Sequence, residues 1–424
     1  MTHATGSDGR NSLFADRNFL WLMGGGAVSM LGDQFTLIAL PWLVLKQTGD
    51  TLVLGLVLAT MSIPRAVFIL IGGAVTDRYA PKRVLMLTKY ANLLLIGALG
   101  ALTLSGQLAL WMVFTLGFAI GLASAFSIPS GSSIMPLMIV PARLQAANGV
   151  LMAVRQVTLL LGPLLAGLLI ALFGDTARAT DTAGIGLAFL VDAASFGISA
   201  WTLTKVVAIA EPTRSDEGML AAVLVGLRHF WNDHSLRTLC LYFSAIAFFI
   251  GGPVQVALPV LAATRLGDGA AGYGSLMAAH GAGTLLGMVL SGLRPTLRAG
   301  TLGLTILLVD ALGGLLLMPM GGIAALWQGV ALLLPLGLLA GFMQVTVFTW
   351  MQRRVPPAML GRAMSLFMFI FLGVAPLSAA VTGWLMRGLP LEQIFFGAGA
   401  ILIAIVLAAL TSPRVRAIGA PLPT

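Results

Sequence analysis

The chain has 424 residues, 58% of them hydrophobic and only 9% charged, with a net charge of +9 and one cysteine, Cys240. A water-exposed surface takes about a quarter charged residues, so this composition excludes a soluble globular protein and places the chain in a bilayer. A lone cysteine rules out an internal disulfide, and the positive charges are scattered through short loops, which fits the loop bias of membrane proteins rather than a nucleic-acid-binding face.

In chain order, the stretch 1–18 is polar and lacks both a basic segment before a short apolar core and a small-residue cleavage site, so no removable signal peptide is expected. Apolar runs near the roughly 20 residues that a span needs then occur at 19–45, 53–75, 84–104, 108–128, 146–173, 184–207, 237–262, 271–293, 301–319, 324–348, 360–386 and 391–411. They lack the alternating polarity of barrel strands, and helices are the other way to satisfy backbone polar groups in lipid. The expectation is therefore an all-α integral membrane fold with twelve transmembrane helices. Its divisions are a cytoplasmic tail (1–18), a first six-helix bundle (19–207), a linker (208–236), a second six-helix bundle (237–411) and a second tail (412–424).

Placing both termini in the cytoplasm puts 18 lysines and arginines in inner segments and four, Lys46, Arg178, Arg265 and Arg387, in outer loops. That asymmetry sets the expected orientation. Within the long inner connection, Met219 to Trp231 reads as a surface amphipathic helix or an ordinary linker helix.

The two halves repeat. Ala39-Leu40-Pro41 followed by Gly49 recurs as Ala257-Leu258-Pro259 followed by Gly267, an offset of 218 residues. Val140-Pro141 recurs as Val355-Pro356, and Gly162-Pro163 as Ala375-Pro376, at offsets of 215 and 213. Duplication of a six-helix unit places a substrate path at the interface of the halves, near the bilayer midplane.

One connection is unusually charged: Gly72-Gly73-Ala74-Val75-Thr76-Asp77-Arg78-Tyr79-Ala80-Pro81-Lys82-Arg83. Its two glycines are expected to end the second helix. Gly73, Asp77, Arg78, Lys82 and Arg83 resemble the signature between the second and third spans of the major facilitator superfamily, with Ala80 and Pro81 departing from it. Gly149, Gly162, Pro163 and Gly167 resemble the fifth-span pattern of that superfamily's antiporters, with Thr158 and Ala166 where glycines are usual. Ser29-x-x-Gly32-Asp33, Leu144-x-x-Ala147-Asn148 and Asp192-x-x-Ser195-Phe196 are similar to the branch that contains macrolide-efflux proteins and the enterobactin exporter.

The resemblance implies a secondary active transporter working by alternating access, exporting a drug-like, macrolide-like or siderophore-like molecule from a bacterial-type inner (plasma) membrane. Asp77 is then one half of a cytoplasmic latch, set against the start of the eleventh helix after Pro356-Pro357, while Arg78, Lys82 and Arg83 meet carbonyls, acids or lipid phosphates. The alternative is that these charges only set topology. Expected partners are a small-molecule cargo, protons and membrane lipids, with the chain acting as a monomer and without nucleic acid.

Charges inside spans are costly, about 2.5–3.5 kcal/mol each on insertion scales, and are functional candidates for that reason. They are Asp33, Arg65, Arg155, Asp192 and Asp310, with Gln156 beside Arg155, His280 as a partner for Asp310, and Lys89 close enough to an inner end to snorkel. Ser29, Asp33 and Thr36 share one helical face, as do Asp192, Ser195, Ser199 and Thr202, so both aspartates are expected to point into the bundle. Proton coupling through Asp33 or Asp192 is one reading, and charge pairs that fix helix register are the other. No lysine follows a glycine as a Walker-type loop requires, and no metal-ligand cluster or nucleophile elbow appears, so neither an enzyme nor a cofactor is expected. Uptake by symport is the alternative transport direction, and a passive channel the alternative class.

Overall fold

The computed structural model describes residues 13–140, 143–174, 182–207, 234–267, 269–294, 296–354, 373–416 and 418. All regular structure among them is helical. The order is α1 (Arg17–Thr48), α2 (Thr51–Arg78), α3 (Pro81–Leu104), α4 (Leu110–Met138), α5 (Leu144–Gly174) and α6 (Ala183–Lys205). After the linker come α7 (His234–Gly252), α8 (Gly269–Leu293), α9 (Leu302–Leu317), α10 (Leu326–Arg354), α11 (Gly373–Leu385) and α12 (Leu391–Thr411). Eleven helices among the described residues are long and apolar enough to cross a membrane, and α11 is a shorter apolar helix inside the expected eleventh span. The all-α membrane architecture is thus the observed one. The amphipathic stretch 219–231 and the start of the eleventh span lie outside the described residues.

Helix ends follow local chemistry. Gly49 and Gly267, the repeated glycines of the two halves, both adopt left-handed backbone, with φ of 63° and 69°, a conformation that carries little steric penalty without a Cβ. Beyond Gly252, α7 continues through π-helical turns at Pro253–Ala257 and Ala262–Leu266. Pro253 and Pro259 donate no backbone N–H, and the local register shifts to accommodate them. Pro129 and Pro136 lie inside α4, which runs about ten residues beyond the expected end of the fourth span. Proline is tolerated there because packed neighbours in a membrane bundle can make up for the lost backbone bond.

The chain divides into two compact units. The first comprises residues 1–40 and 63–219, and the second comprises 41–62 and 220–424. Helices α1 and α2 therefore each contribute to both, and the changeovers fall at Pro41 and one residue before Ile63-Pro64.

Within the first unit, glycines let backbones meet. A Cβ on Gly72 would overlap the Ala125 carbonyl of α4, one on Gly100 would crowd Gly186 O at 3.1 Å, and one on Gly32 would overlap the Ser195 hydroxyl. Within the second unit the same helix pairs recur. Gly283 and Gly287 of α8 abut the Leu334 and Leu338 carbonyls of α10, while Gly337 and Gly341 return the contact on His280 and Thr284. Gly314 of α9 faces Gly399 of α12, as Gly100 of α3 faces Gly186 of α6. Lipid supplies no hydrophobic drive between helices, so such close approach, with its van der Waals gain, is what holds them together.

The charged connection differs from expectation in one respect: α2 runs through both glycines and ends at Arg78. Gly72 serves helix packing instead of termination, and Thr76 Oγ1 steadies that turn by donating to Gly72 O at 2.7 Å while standing 2.9 Å from Ser130 Oγ. Ala80 then precedes α3, with Pro81 at its first position, where a missing N–H is harmless.

Candidate functional site

Helices α1, α3 and α6 bring a polar cluster together inside the first unit. On α6, Asp192 is fully buried, at 0% exposure. Thr36 Oγ1 of α1 donates to its Oδ2, and the Ser195 hydroxyl lies 3.2 Å from Oδ1 and 2.6 Å from the Asp192 carbonyl. Gly32 makes this possible, since any side chain there would strike Asp192 and Ser195. Thr36 thus holds Oδ2, while the single Ser195 proton is shared between the Asp192 carbonyl, which is nearer, and Oδ1.

Lys89 supplies the counter-charge. Rather than snorkelling to an end of α3, it turns into the unit, where Nζ donates to Ser29 Oγ at 2.6 Å and lies 4.8 Å from the centre of the Phe196 ring. Its ammonium acts electrostatically on both Asp33 and Asp192. Reach explains the difference: four methylenes carry a lysine head several ångströms inward as readily as outward, and a carboxylate pair is a stronger attractor than an apolar wall. One turn further along α3, Asn92 is buried at 3% exposure, and its Oδ1 has no hydrogen-bond partner among the described residues.

Asp33 stands at the rim of the cluster. Ser29 and Thr36 are buried against α6, whereas Asp33 is exposed, along with Leu37 one turn on. It feels the Lys89 and Asp192 charges, yet no hydrogen bond reaches its carboxylate among the described residues. One acid is thus enclosed by hydroxyls, and the other makes no hydrogen bond among the described residues.

The remaining predicted residues are spread out. On α5, Gln156, Thr158 and Gly162 are buried, with Gly162 against the Gln34 side chain of α1, but Arg155 is exposed. Gly149 faces open space, and Gly167 and Pro163 are buried. Arg65 is half-buried on α2 beside buried Pro64. In the second unit, Tyr242 Oη of α7 donates to Asp310 Oδ2 at 2.7 Å, so the partner of Asp310 is Tyr242 and not His280. His280 lies where α8 crosses Gly337, and its carbonyl accepts from Thr284 Oγ1 at 2.9 Å.

Of the latch candidates, Lys82 Nζ donates to Val206 O at 2.6 Å, beyond the last turn of α6, where a cation is favoured by the unpaired carbonyls and the helix dipole. Arg78 and Arg83 are exposed and Gly73 lies within α2. The Asp77 side chain and the start of the eleventh span, its expected partner, lie outside the described residues. The same end of the unit is tied by Asn18, whose amide accepts from Val207 N at 2.9 Å and donates to Val207 O at 2.8 Å, and by Arg143 paired with Asp16 at 3.5 Å. Sequence reasoning missed Lys89 as a cluster member and Tyr242 as a partner. For Lys89 there was a signal: it is followed three residues later by Asn92, a second polar residue on one face of an otherwise apolar helix.

Comparison with known proteins agrees with this architecture. The chain is 31% identical over 218 residues to the multidrug efflux pump Tap of Mycolicibacterium fortuitum, a match that spans about half of each protein, 50% and 51%. It is 26% identical over 330 residues to the enterobactin exporter EntS of Escherichia coli O1:K1, covering 77% of this chain and 74% of that one. The fold is similar to the crystal structure of an auto-inhibited POT family peptide transporter, with a TM-score of 0.74 at 16% identity over 96% of this chain and 99% of the other. The model of the Major Facilitator Superfamily matches residues 22–380, and the chain belongs to that superfamily of membrane transporters.

Proposed function

We propose that this transporter is a proton-coupled exporter of a drug-like, macrolide-like or siderophore-like small molecule. It works as a monomer by alternating access, across a bacterial-type inner membrane with both termini in the cytoplasm. The observation that carries the coupling is the asymmetry of the two aspartates. Asp192 is enclosed by Thr36 and Ser195, and Asp33 is exposed without a hydrogen bond among the described residues, while Lys89 acts on both. Two carboxylates beside one ammonium leave one negative charge to be neutralised, and a proton and the cargo can do so in turn, each excluding the other. The direction rests on the relatives, which are named as an efflux pump and an exporter. The lysine and arginine bias of the loops supports the orientation. Residues 19–207 and 237–411 are the bundles that rock, and the Asp77 connection latches their cytoplasmic ends.

The test is a resistance screen in an efflux-deficient bacterial host. The chain is expected to lower sensitivity to at least one lipophilic drug or siderophore, an uncoupler should abolish the effect, and Asp33→Asn should match the empty vector at equal membrane abundance. Protection that survives the uncoupler would overturn the coupling. Greater sensitivity on expression would point to uptake instead.

A further inference from the structure

Each unit sets a charged side chain on its third helix against a hydroxyl on its first. In the first unit these are Lys89 of α3 and Ser29 of α1, 2.6 Å apart. In the second they are Asp310 of α9 and Tyr242 of α7, 2.7 Å apart. The surroundings differ in a way that decides the chemistry. Two carboxylates act on Lys89 from beyond ion-pair distance, whereas no cation among the described residues acts on Asp310 at all. It lies near the middle of the apolar span Leu302–Gly322.

The neighbouring helices offer no remedy at that depth. The ionisable residues of α10 are Arg353 and Arg354, in its last turn, and that of α12 is Glu392, in its first turn, where Arg265 pairs with it. Helix α7 adds Cys240 beside Tyr242, with Arg237 and His234 nearer its start, and the short helix Pro413–Arg416 carries Arg414 and Arg416. Tyr242 belongs to a buried apolar cluster with Val309, Phe342 and Met343, and Asp310 is half-buried beside it. A carboxylate in such a place is ionised at high cost, because one phenol is a poor substitute for water. With Tyr242 holding Oδ2, Oδ1 is the oxygen left to take a proton, and the neutral acid then needs no counter-ion.

We propose that Asp310 with Tyr242 is a second proton-binding site, located in the second unit and separate from the Asp33–Asp192–Lys89 cluster. A cycle that loads both sites carries two protons. Each half of the duplicated fold then has its own ionisable device, one in which opposite charges offset each other and one neutralised by protonation.

Infrared difference spectroscopy of the purified, full-length protein tests this without any knowledge of the cargo. The probe is the carboxylic-acid C=O band, followed as pH is stepped in water and in heavy water. The wild type is expected to show a protonated carboxyl band that Asp310→Asn removes and that Asp33→Asn and Asp192→Asn leave in place. Tyr242→Phe should shift the frequency of that band without removing it, since the hydrogen bond is lost but the acid remains. If Asp310→Asn does not fold, the Tyr242→Phe shift decides. A band unchanged by Asp310→Asn, or by Tyr242→Phe where that alone can be measured, would overturn the proposal. Loss of bands only in the Asp33 or Asp192 variants would overturn it too, while leaving the first coupling site standing.

Discussion

At the scale of single residues, the first unit turns on one ammonium shared by two acids. Lys89 makes a hydrogen bond to Ser29 and a cation–π contact with Phe196, and its charge offsets those of Asp33 and Asp192 from beyond ion-pair distance, so its loss leaves them uncompensated. Removing the compensating charge from a buried carboxylate costs up to about 3–5 kcal/mol, the figure for a close pair. Lys89→Met should therefore lower the melting temperature of the detergent-solubilised protein sharply, and a second change, Asp192→Asn, should restore much of it. A double variant no more stable than Lys89→Met would show that the charges are not coupled. This cluster was only half legible in the chain. Ser29, Thr36 and Asp192 were found because helical spacing put polar groups on one face, while Asp33, expected to point inward with them, stands at the exposed rim. Lys89 was not, because a one-dimensional sequence gives its distance from a helix end but not the carboxylates across the helix–helix contact. Tyr242 and Asp310 are 68 positions apart, and nothing local in either segment points to the other.

At the scale of elements, backbone contact does what burial of apolar faces does in water. Helices α8 and α10 meet through two interleaved glycine pairs, Gly283 with Gly287 and Gly337 with Gly341. Any larger residue there must push one helix off the other, and overpacking typically costs about 1–3 kcal/mol or more. Gly283→Leu is expected to give aggregated or thermally labile protein on gel filtration, while Gly292→Ala on the same helix, where a Cβ meets nothing within 4 Å, should be silent. Equal behaviour of the two would refute the packing account. The four-residue spacing of these glycines was visible in the sequence as a small-residue motif. By contrast, Gly72-Gly73 misleads when read by the rules of soluble helices, since in α2 the demand of α4 for close approach overrides the tendency of glycine to end a helix.

A second element-scale feature lies in the second unit, at the turn between α1 and α2. Asp50 accepts from Leu52 N at 2.8 Å and pairs with Arg387, while Thr51 Oγ1 donates to Gly383 O at 2.9 Å. The hydrogen bond and charge of Arg387 hold the Asp50 carboxyl below its ordinary value. A depressed carboxylate contributes stability above its unfolded pKa, near 3.9, and loses it as pH falls through the lower folded value. Arg387→Gln should thus melt slightly below the wild type at neutral pH, with the gap closing in acid below about pH 4. Solvent screening keeps the effect small. A gap that persists in acid would mean the arginine acts through packing.

At the scale of the whole molecule, the number and placement of spans were legible because lipid forces every backbone polar group into helical hydrogen bonds, so apolar length translates directly into helices. The repeat was legible as well: Gly49 and Gly267, paired by sequence offset alone, turn out to share the same left-handed termination. What the chain could not convey is how its segments are shared. The division of α1 and α2 between the two units at Pro41 and near Pro64 depends on contacts far along the sequence, not on the hydropathy of either helix.

The claim that proton and cargo exclude each other at Asp33 is tested most directly in liposomes holding the purified protein, using the compound that the host screen identifies. Acid-inside vesicles are predicted to accumulate that compound, to stop when the pH gradient is collapsed, and to fail with Asp33→Asn even though that variant still exchanges internal for external compound at equal concentrations. Accumulation that persists without the gradient, or that Asp33→Asn leaves intact, would contradict the account.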